Sequence, residues 1–338
     1  STGTPITTKS TWGLGAFNRA LQIRIQRLHG FDFNATCAFI TAPTPPGYAD
    51  PPRGRAGGAW AAPFGRGVGH QLDLLASTDD QLDWLVELAP RYLATYPSNL
   101  HALLLRSQER GLVPRGLDRV VLSSEPISPE LVELCRSAWN ADVLVTYSSN
   151  EVGAMAFGLP GEDELVVQSE NIVLEVLRDD GSPCEPGEIG RVVVTTLQDF
   201  LRPLIRYEIG DYAEVGSPVD PAPPQPDDSV VRLPRLKRVL GRERTMVALP
   251  DGRRVWPHFE FARLVELGCL RQWQLVQKKD GSLDVRVVPL RELGAADHAA
   301  IRSVVTDALP GISVHIVEVD GIARTPRGKY LEFVSELV

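Results

Sequence analysis

"ADVLVTYSSNEVG", residues 141–153, decides how this chain reads. A run of aliphatic, largely β-branched residues gives way within a few positions to tyrosine, two serines, asparagine and glutamate. The carboxyl ends of strands in an α/β sheet face the ligand crevice, so the change predicts a strand running into a binding loop. "LDRVVLSSEP" (117–126) repeats the pattern, and "SPELVELCRSAWN" (128–140) between them has helical spacing behind a Ser-Pro start.

Toward the N-terminus the same alternation continues. "GAFNRALQIRIQRLHG" (15–30) is a helix stopped at Gly30, and "ATCAFITAP" (35–43) is a buried strand. A Pro/Gly-rich loop is expected over 43–69. "STDDQLDWLVELAPRYL" (77–93) is a helix capped by Ser77 or Thr78, and "PSNLHALLLRSQERG" (97–111) is a second one with Gly111 past its end. From 166 onward, alternation with turns at Asp180-Gly181 and Pro186-Gly187 predicts an antiparallel β-subdomain. The segment 216–229 is Pro-rich and acidic, which reads as a mobile loop. The expected fold is α/β: a large layered domain with a β-subdomain over 1–240, and a small mobile α+β domain over 241–338 with one helix, "AADHAAIRSVVTDAL".

Composition narrows the function classes. At 338 residues and 43% hydrophobic, the chain has material for a sizeable core. The net charge of −8 argues against a general nucleic-acid or anionic-membrane binder. Cys37, Cys135, Cys184 and Cys269 are widely spaced, which disfavours zinc or a redox pair and fits free thiols in a reducing compartment. No apolar run of 18 residues and no leader pattern occur, so a soluble, cytoplasmic protein is expected.

Several residues could carry chemistry, and each has a plainer reading. Tyr147 offers a flat face for a purine. Glu151 could hold a divalent cation, or be an ordinary capping glutamate. "RPLIRYEIGDY" (202–212) places Asp211 after Gly210, where it could accept from two ribose hydroxyls or be a turn aspartate. "GRER" (241–244) reads equally as a solvated charge run, and Lys329 between Pro326 and Gly328 as a solvated turn residue.

Taken in order, six stretches resemble the adenylate-forming acyl-CoA synthetase superfamily, in its phenylacetate–CoA ligase and coenzyme F390 synthetase branch. They are "PRYLATYPSNLHALLLRSQERGL", "SSEPISPELVE", "TYSSNEVG", "RPLIRYEIGD", "VLGRERTMVALPDGRRVWP" and "RTPRGKYLEFVSEL". The resemblance covers essentially the whole chain. It implies an enzyme that uses ATP and Mg²⁺ to convert a carboxylic acid to an acyl-adenylate with release of pyrophosphate. The acyl group then passes to coenzyme A, a carrier-protein thiol or another nucleophile.

Position by position, the resemblance has Tyr147 stack on adenine, with Ser148 and Ser149 beside it and Ser124, Glu125 and Pro126 lining the other side. Glu151 would bind Mg²⁺, Asp211 and Arg242 would hold the ribose, and Lys329 would be the catalytic lysine. Ser1, Thr2, Gly3 and Thr4 match the start of the family's phosphate loop, but Pro5 and Ile6 stand where a threonine and a glycine belong. Proline removes a backbone donor and isoleucine lacks glycine's conformational freedom, so the cradle is reshaped. The family's preceding N-terminal segment is expected to be missing. Asn150 replaces the motif's usual threonine, and Arg244 stands at the hinge position in place of Asp or Lys.

The acid pocket implied by the resemblance is Phe64, Gly69, His70 and Gly153, with glycines leaving room for a flat ring. An aryl or arylacetic acid is the implied substrate, and His70 reads equally as a satisfied loop histidine. A homodimer is one admissible assembly. A non-catalytic relative that binds nucleotide or acyl-adenylate as a sensor or assembly partner is the rival function. An ATPase or kinase is disfavoured, because no G-x-x-x-x-G-K-[ST] run is present.

Overall fold

The computed structural model describes residues 11–42, 53–218, 232–242, 246–256, 264, 267–323, 325 and 330–337. Ser1, Thr2, Gly3, Thr4, Pro5, Ile6, Arg244 and Lys329, and most of the 216–229 loop, lie outside the described residues. The chain divides into two compact units, Ser1–Ile127 with Val132–Gly241 and Ser128–Leu131 with Arg242–Val338.

The first unit is built on a parallel core. Strands β1 (Cys37–Thr41), β3 (Val68–Asp73), β4 (Tyr92–Thr95), β5 (Arg119–Leu122) and β6 (Asp142–Ser149) lie in the order β3-β1-β4-β5-β6, all pairing parallel. Helices α3 (Pro97–Arg110) and α4 (Pro129–Trp139) are the crossovers that parallel strands require. β2 (Arg55–Ala59) adds an antiparallel edge to β3. Two expectations are corrected here. The 43–69 stretch contains β2 and the start of β3 rather than loop throughout. The helix expected over 77–93 is α2 (Thr78–Leu88), capped by the Ser77 hydroxyl accepting from Asp80 N–H at 3.1 Å, and it ends at a left-handed Ala89. Pro90 then cannot continue the helix, and Tyr92–Thr95 becomes a central strand. Its four residues are too few to show a period.

Side-chain polarity ties these layers together. In the interior, Asn99 donates to Gln81 at 2.7 Å and to Thr95 at 3.1 Å, while Gln81 donates to the Leu74 and Ala76 carbonyls. Each partnered buried group avoids a desolvation cost of about 1–3 kcal/mol. α1 (Trp12–Leu28) caps itself through Thr11 and buries Leu21, Ile23 and Ile25. The four cysteines are free thiols; burial pushes Cys37 up and Cys135 up to about 12, so both are inert.

Beyond β6 the sheet turns antiparallel, through β7 (Gly153–Gly158), β8 (Leu165–Val167), β12 (Arg235–Arg242), β11 (Tyr207–Val215), β10 (Ile189–Thr196) and β9 (Ile172–Leu177), giving twelve strands in all. The loop expected at the end of "ADVLVTYSSNEVG" is instead a tight turn: β6 runs on to Ser149 and folds straight back on β7, with Ser149 opposite Gly153.

The second unit holds a four-stranded sheet in the order β17-β16-β15-β18, from β15 (Leu270–Gln277), β16 (Leu283–Pro289), β17 (Val314–Glu318) and β18 (Phe333–Ser335). Among the described residues, a small ribbon of β13 (Val247–Ala248) and β14 (Arg254–Val255) and the helix α5 (Ala295–Ala308) accompany it. Leu275, Val285, Val287, Ile301 and Val305 form its core. The protein is thus a mixed α/β fold with a large sheet and a smaller C-terminal sheet unit. Among the described residues no helix is long and apolar enough to cross a membrane.

Candidate active site

Tyr147 and Asp211 come together although their strands do not. In the sheet order β6 and β11 are four places apart, so a flat sheet would separate them by roughly 19 Å. The Tyr147 hydroxyl nevertheless donates to Asp211 Oδ2 at 2.8 Å. The antiparallel half of the sheet therefore curls, with Ile209, Ala213 and Leu236 packed in one cluster with Tyr147.

Local irregularities aim both side chains. Between Arg191 and Val193 the pairing partner on β11 jumps from Tyr212 to Glu208, so Ile209, Gly210 and Asp211 belong to a bulge. Gly210 takes φ +80°, a conformation that a side chain would strain. β6 has its own irregularity between Tyr147 and Ser148. Tyr147 is only 9% exposed, so most of the face assigned to a purine is packed against protein.

Glu151 lies in the turn between β6 and β7. Ser149 Oγ closes that turn by accepting from Val152 N–H at 3.1 Å. The Glu151 carboxylate is half-buried and engages no partner among the described residues, and no cluster of three or more His, Cys, Asp or Glu that could hold a metal occurs among them. A single available carboxylate fits a Mg²⁺ that keeps most of its waters and arrives on nucleotide phosphates, rather than an ion caged by protein.

The loop after β5 gives a mixed answer. Ser124 is exposed and holds φ +75°, a strained conformation for a residue with a Cβ. Glu125 Oε2 accepts from Ser98 N–H at 2.9 Å, at the start of α3. The N-cap residue there, Tyr96, makes no capping bond of its own, so Glu125 serves as a cap from another loop. Pro126 is exposed beside it, Ser148 and Ser149 continue β6, and Arg242 is the last residue of β12.

The four residues expected to line an acid pocket sit in different local surroundings. Phe64 is 47% exposed under the Arg27 guanidinium, 5.2 Å from its ring centroid, on an open groove of about 390 Å³ lined also by Ala20, Ile23, Arg24 and Leu28. Gly69 and His70 lie within β3, paired to β1, and a Cβ at Gly69 would come within 3.2 Å of Phe39 and Trp60. The room its missing side chain leaves is already filled by protein. Gly153 (φ +90°) faces Asn18 of α1, 3.4 Å from where a Cβ would sit. Asn18 and Arg27 are nine residues apart on one helix, about 14 Å.

Sequence reading missed Asp199 and Arg202 as a pair. Arg202 donates to the main-chain carbonyl of Glu151 and to Asp199 Oδ2, tying the β10–β11 loop to the Glu151 turn. The i, i+3 spacing in "DFLR" was a visible but common signal.

No family model and no curated protein matches this sequence. Its fold is shared with solved structures of CoA ligases. A 2-hydroxyisobutyryl-CoA ligase in complex with 2-HIB-AMP aligns over 94% of this chain and 69% of its own, with TM-score 0.72 and 20% identity. The anthranilate CoA ligase with anthranoyl-AMP aligns over 92% and 61%, with TM-score 0.65 and 14% identity. The O-succinylbenzoate coenzyme A synthetase of Bacillus subtilis, in complex with AMP, aligns over 98% and 66%, with TM-score 0.61 and 16% identity. The chain thus spans 61–69% of the length of the first two.

Proposed function

We propose that the protein activates a carboxylic acid with ATP, forming an acyl-adenylate and pyrophosphate, and passes the acyl group to coenzyme A. The observation that carries this reading is the Tyr147–Asp211 contact at 2.8 Å. It joins, across a curled sheet, the two residues that the sequence resemblance assigns to adenine and ribose. The available Glu151 carboxylate, in the turn that follows the Tyr147 strand, and the fold shared with CoA ligases support the same reading.

In the first half-reaction an oxygen of the acid attacks the α-phosphorus. The new O–P bond forms as the bond to the β-phosphate oxygen breaks, and pyrophosphate leaves. Both reactants are anions, so positioning and positive charge supply the catalysis. Glu151 would hold the Mg²⁺ that accompanies ATP, whose charge offsets that of the phosphates. Asp211 and Arg242 would hold the ribose, and Lys329 would stabilise the developing charge at the α-phosphate. In the second half-reaction the coenzyme A sulfur attacks the acyl carbonyl, its proton passes to solvent, and AMP leaves.

We assign the acid to the aryl or arylacetic class, and the chain to the phenylacetate–CoA ligase-like branch, on the sequence resemblance. The smaller unit is assigned as the lid that carries Lys329. A carrier-protein thiol is the alternative acceptor.

ATP–pyrophosphate exchange over a panel of aryl and alkyl acids tests the reading, with Lys329→Ala expected to abolish acid-dependent exchange while nucleotide still binds. Undiminished exchange in Lys329→Ala would remove this lysine from the chemistry. Pro5 and Ile6 in the phosphate loop favour a second reading, a non-catalytic nucleotide binder. Nucleotide binding with no exchange for any acid would establish that one instead.

A further inference from the structure

Among the described residues the Glu151 carboxylate has no side-chain partner, and its own main chain gives it its direction. What fixes that main chain is therefore decisive. From inside the turn, Ser149 Oγ accepts from Val152 N–H. From outside, Arg202 Nη2 donates to the Glu151 carbonyl oxygen, across 51 residues of sequence. That carbonyl sits in the turn between the last β6–β7 pairs, where the ladder leaves it unused.

Arg202 is itself held. Asp199 is only 5% exposed, and both of its oxygens are engaged by Arg202: Oδ1 by the main-chain N–H at 3.1 Å, Oδ2 by the guanidinium at 3.4 Å. A buried carboxylate locked onto one residue at two points leaves the guanidinium little freedom. Arg202 Nε is buried with no partner among the described residues. An orphaned donor of this kind carries a cost, so the guanidinium is not placed for its own best solvation. It is placed against the Glu151 turn.

We propose that Arg202, clamped by Asp199, is a positioning residue that sets the direction of the Glu151 carboxylate toward magnesium-bound nucleotide phosphates. This rests on the role given to Glu151 above. The bracket acts at second hand, through a main-chain carbonyl. Outer contacts of this kind around metal ligands change affinity or activity by about 10- to 100-fold when removed.

The test compares Arg202→Met, Arg202→Lys and Asp199→Asn in the full chain. In Arg202→Met, amide hydrogen exchange over 149–153 should accelerate about tenfold while the β1 strand 37–41 exchanges as in wild type. kcat/KM for Mg·ATP in pyrophosphate exchange should fall at least about tenfold, with KM for the acid unchanged. Arg202→Lys, which keeps one donor and the charge, should recover part of both losses. Unchanged exchange over 149–153 overturns the proposal, and so does an equal rise in KM for acid and nucleotide. Should no acid support turnover in wild type, the adenylation reading fails. The bracket is then judged on amide exchange and on Mg²⁺-dependent ATP binding by calorimetry, where an unaltered variant overturns it. If Arg202→Met does not fold, Asp199→Asn carries the same measurements.

Discussion

The hydroxyl of Tyr147 donates to Asp211 Oδ2 across 2.8 Å, linking strands that stand four places apart in one sheet. The curl of the antiparallel half makes this contact, which joins the two residues proposed above to hold adenine and ribose. A hydrogen bond to a carboxylate is worth about 1.5–3 kcal/mol, so removing its donor should be felt in both stability and binding.

Tyr147→Phe keeps the ring and removes only that donor. It should lower unfolding free energy by about 1–2 kcal/mol and weaken ATP binding by about 3- to 10-fold. Urea unfolding and calorimetric titration with ATP measure the two effects. Unaltered values in both would mean that the pair contributes nothing.

Glu125 has a structural duty that its expected place beside adenine did not suggest. Its carboxylate caps α3 at Ser98 N–H, where Tyr96 provides no cap. Glu125→Ala should therefore cost about 1 kcal/mol of stability without any nucleotide present. Thermal unfolding of the nucleotide-free protein decides the matter, and a melting temperature equal to wild type would leave Glu125 with no capping role.

His29 links α1 to β7 through Nε2 and the Gly158 carbonyl oxygen at 2.8 Å. Burial, the largest cause, lowers its pKa below the ordinary 6.5, against the raising influence of that carbonyl. The folded protein thus binds its proton less readily than the unfolded chain does. Its contribution is fully present above pH 6.5 and is lost as pH falls from there through the lowered folded value. Wild type should lose stability between pH 7.5 and pH 5.5 (about one pH unit to either side of the ordinary histidine value) in urea titrations. In His29→Gln that part of the slope should vanish; an identical slope in the two proteins would exclude His29 as its source.

Much of the fold was legible in the sequence because long elements repeat their period. α1, α3 and α5 carry several turns of apolar spacing, and β5 and β6 end in an abrupt change from aliphatic to hydroxyl residues. β4 escaped because four residues behind Pro90 show no period, and β2 because "RAGGA" has neither β-branched residues nor buried positions. The glycines near Phe64 suggested space for a ligand, yet Gly69 is small because Phe39 and Trp60 press on it. A sequence shows that a side chain is absent. It does not show what fills the gap.

By itself, then, the sequence determined the alternation of helices and strands, the residue types at the strand ends and the order of the motifs that contain Tyr147, Glu151 and Asp211. These depend on local periodicity and turn chemistry, which act over a few neighbouring residues. The tertiary structure alone decided that β6 and β11 approach, that Asp199 and Arg202 grip the Glu151 turn, and that Glu125 serves α3. Each of those contacts spans 27 to 64 residues of chain, apart from the Asp199–Arg202 grip itself, and follows from sheet curl and burial. No local pattern encodes them, because their partners are distant in sequence and meet only in the folded chain.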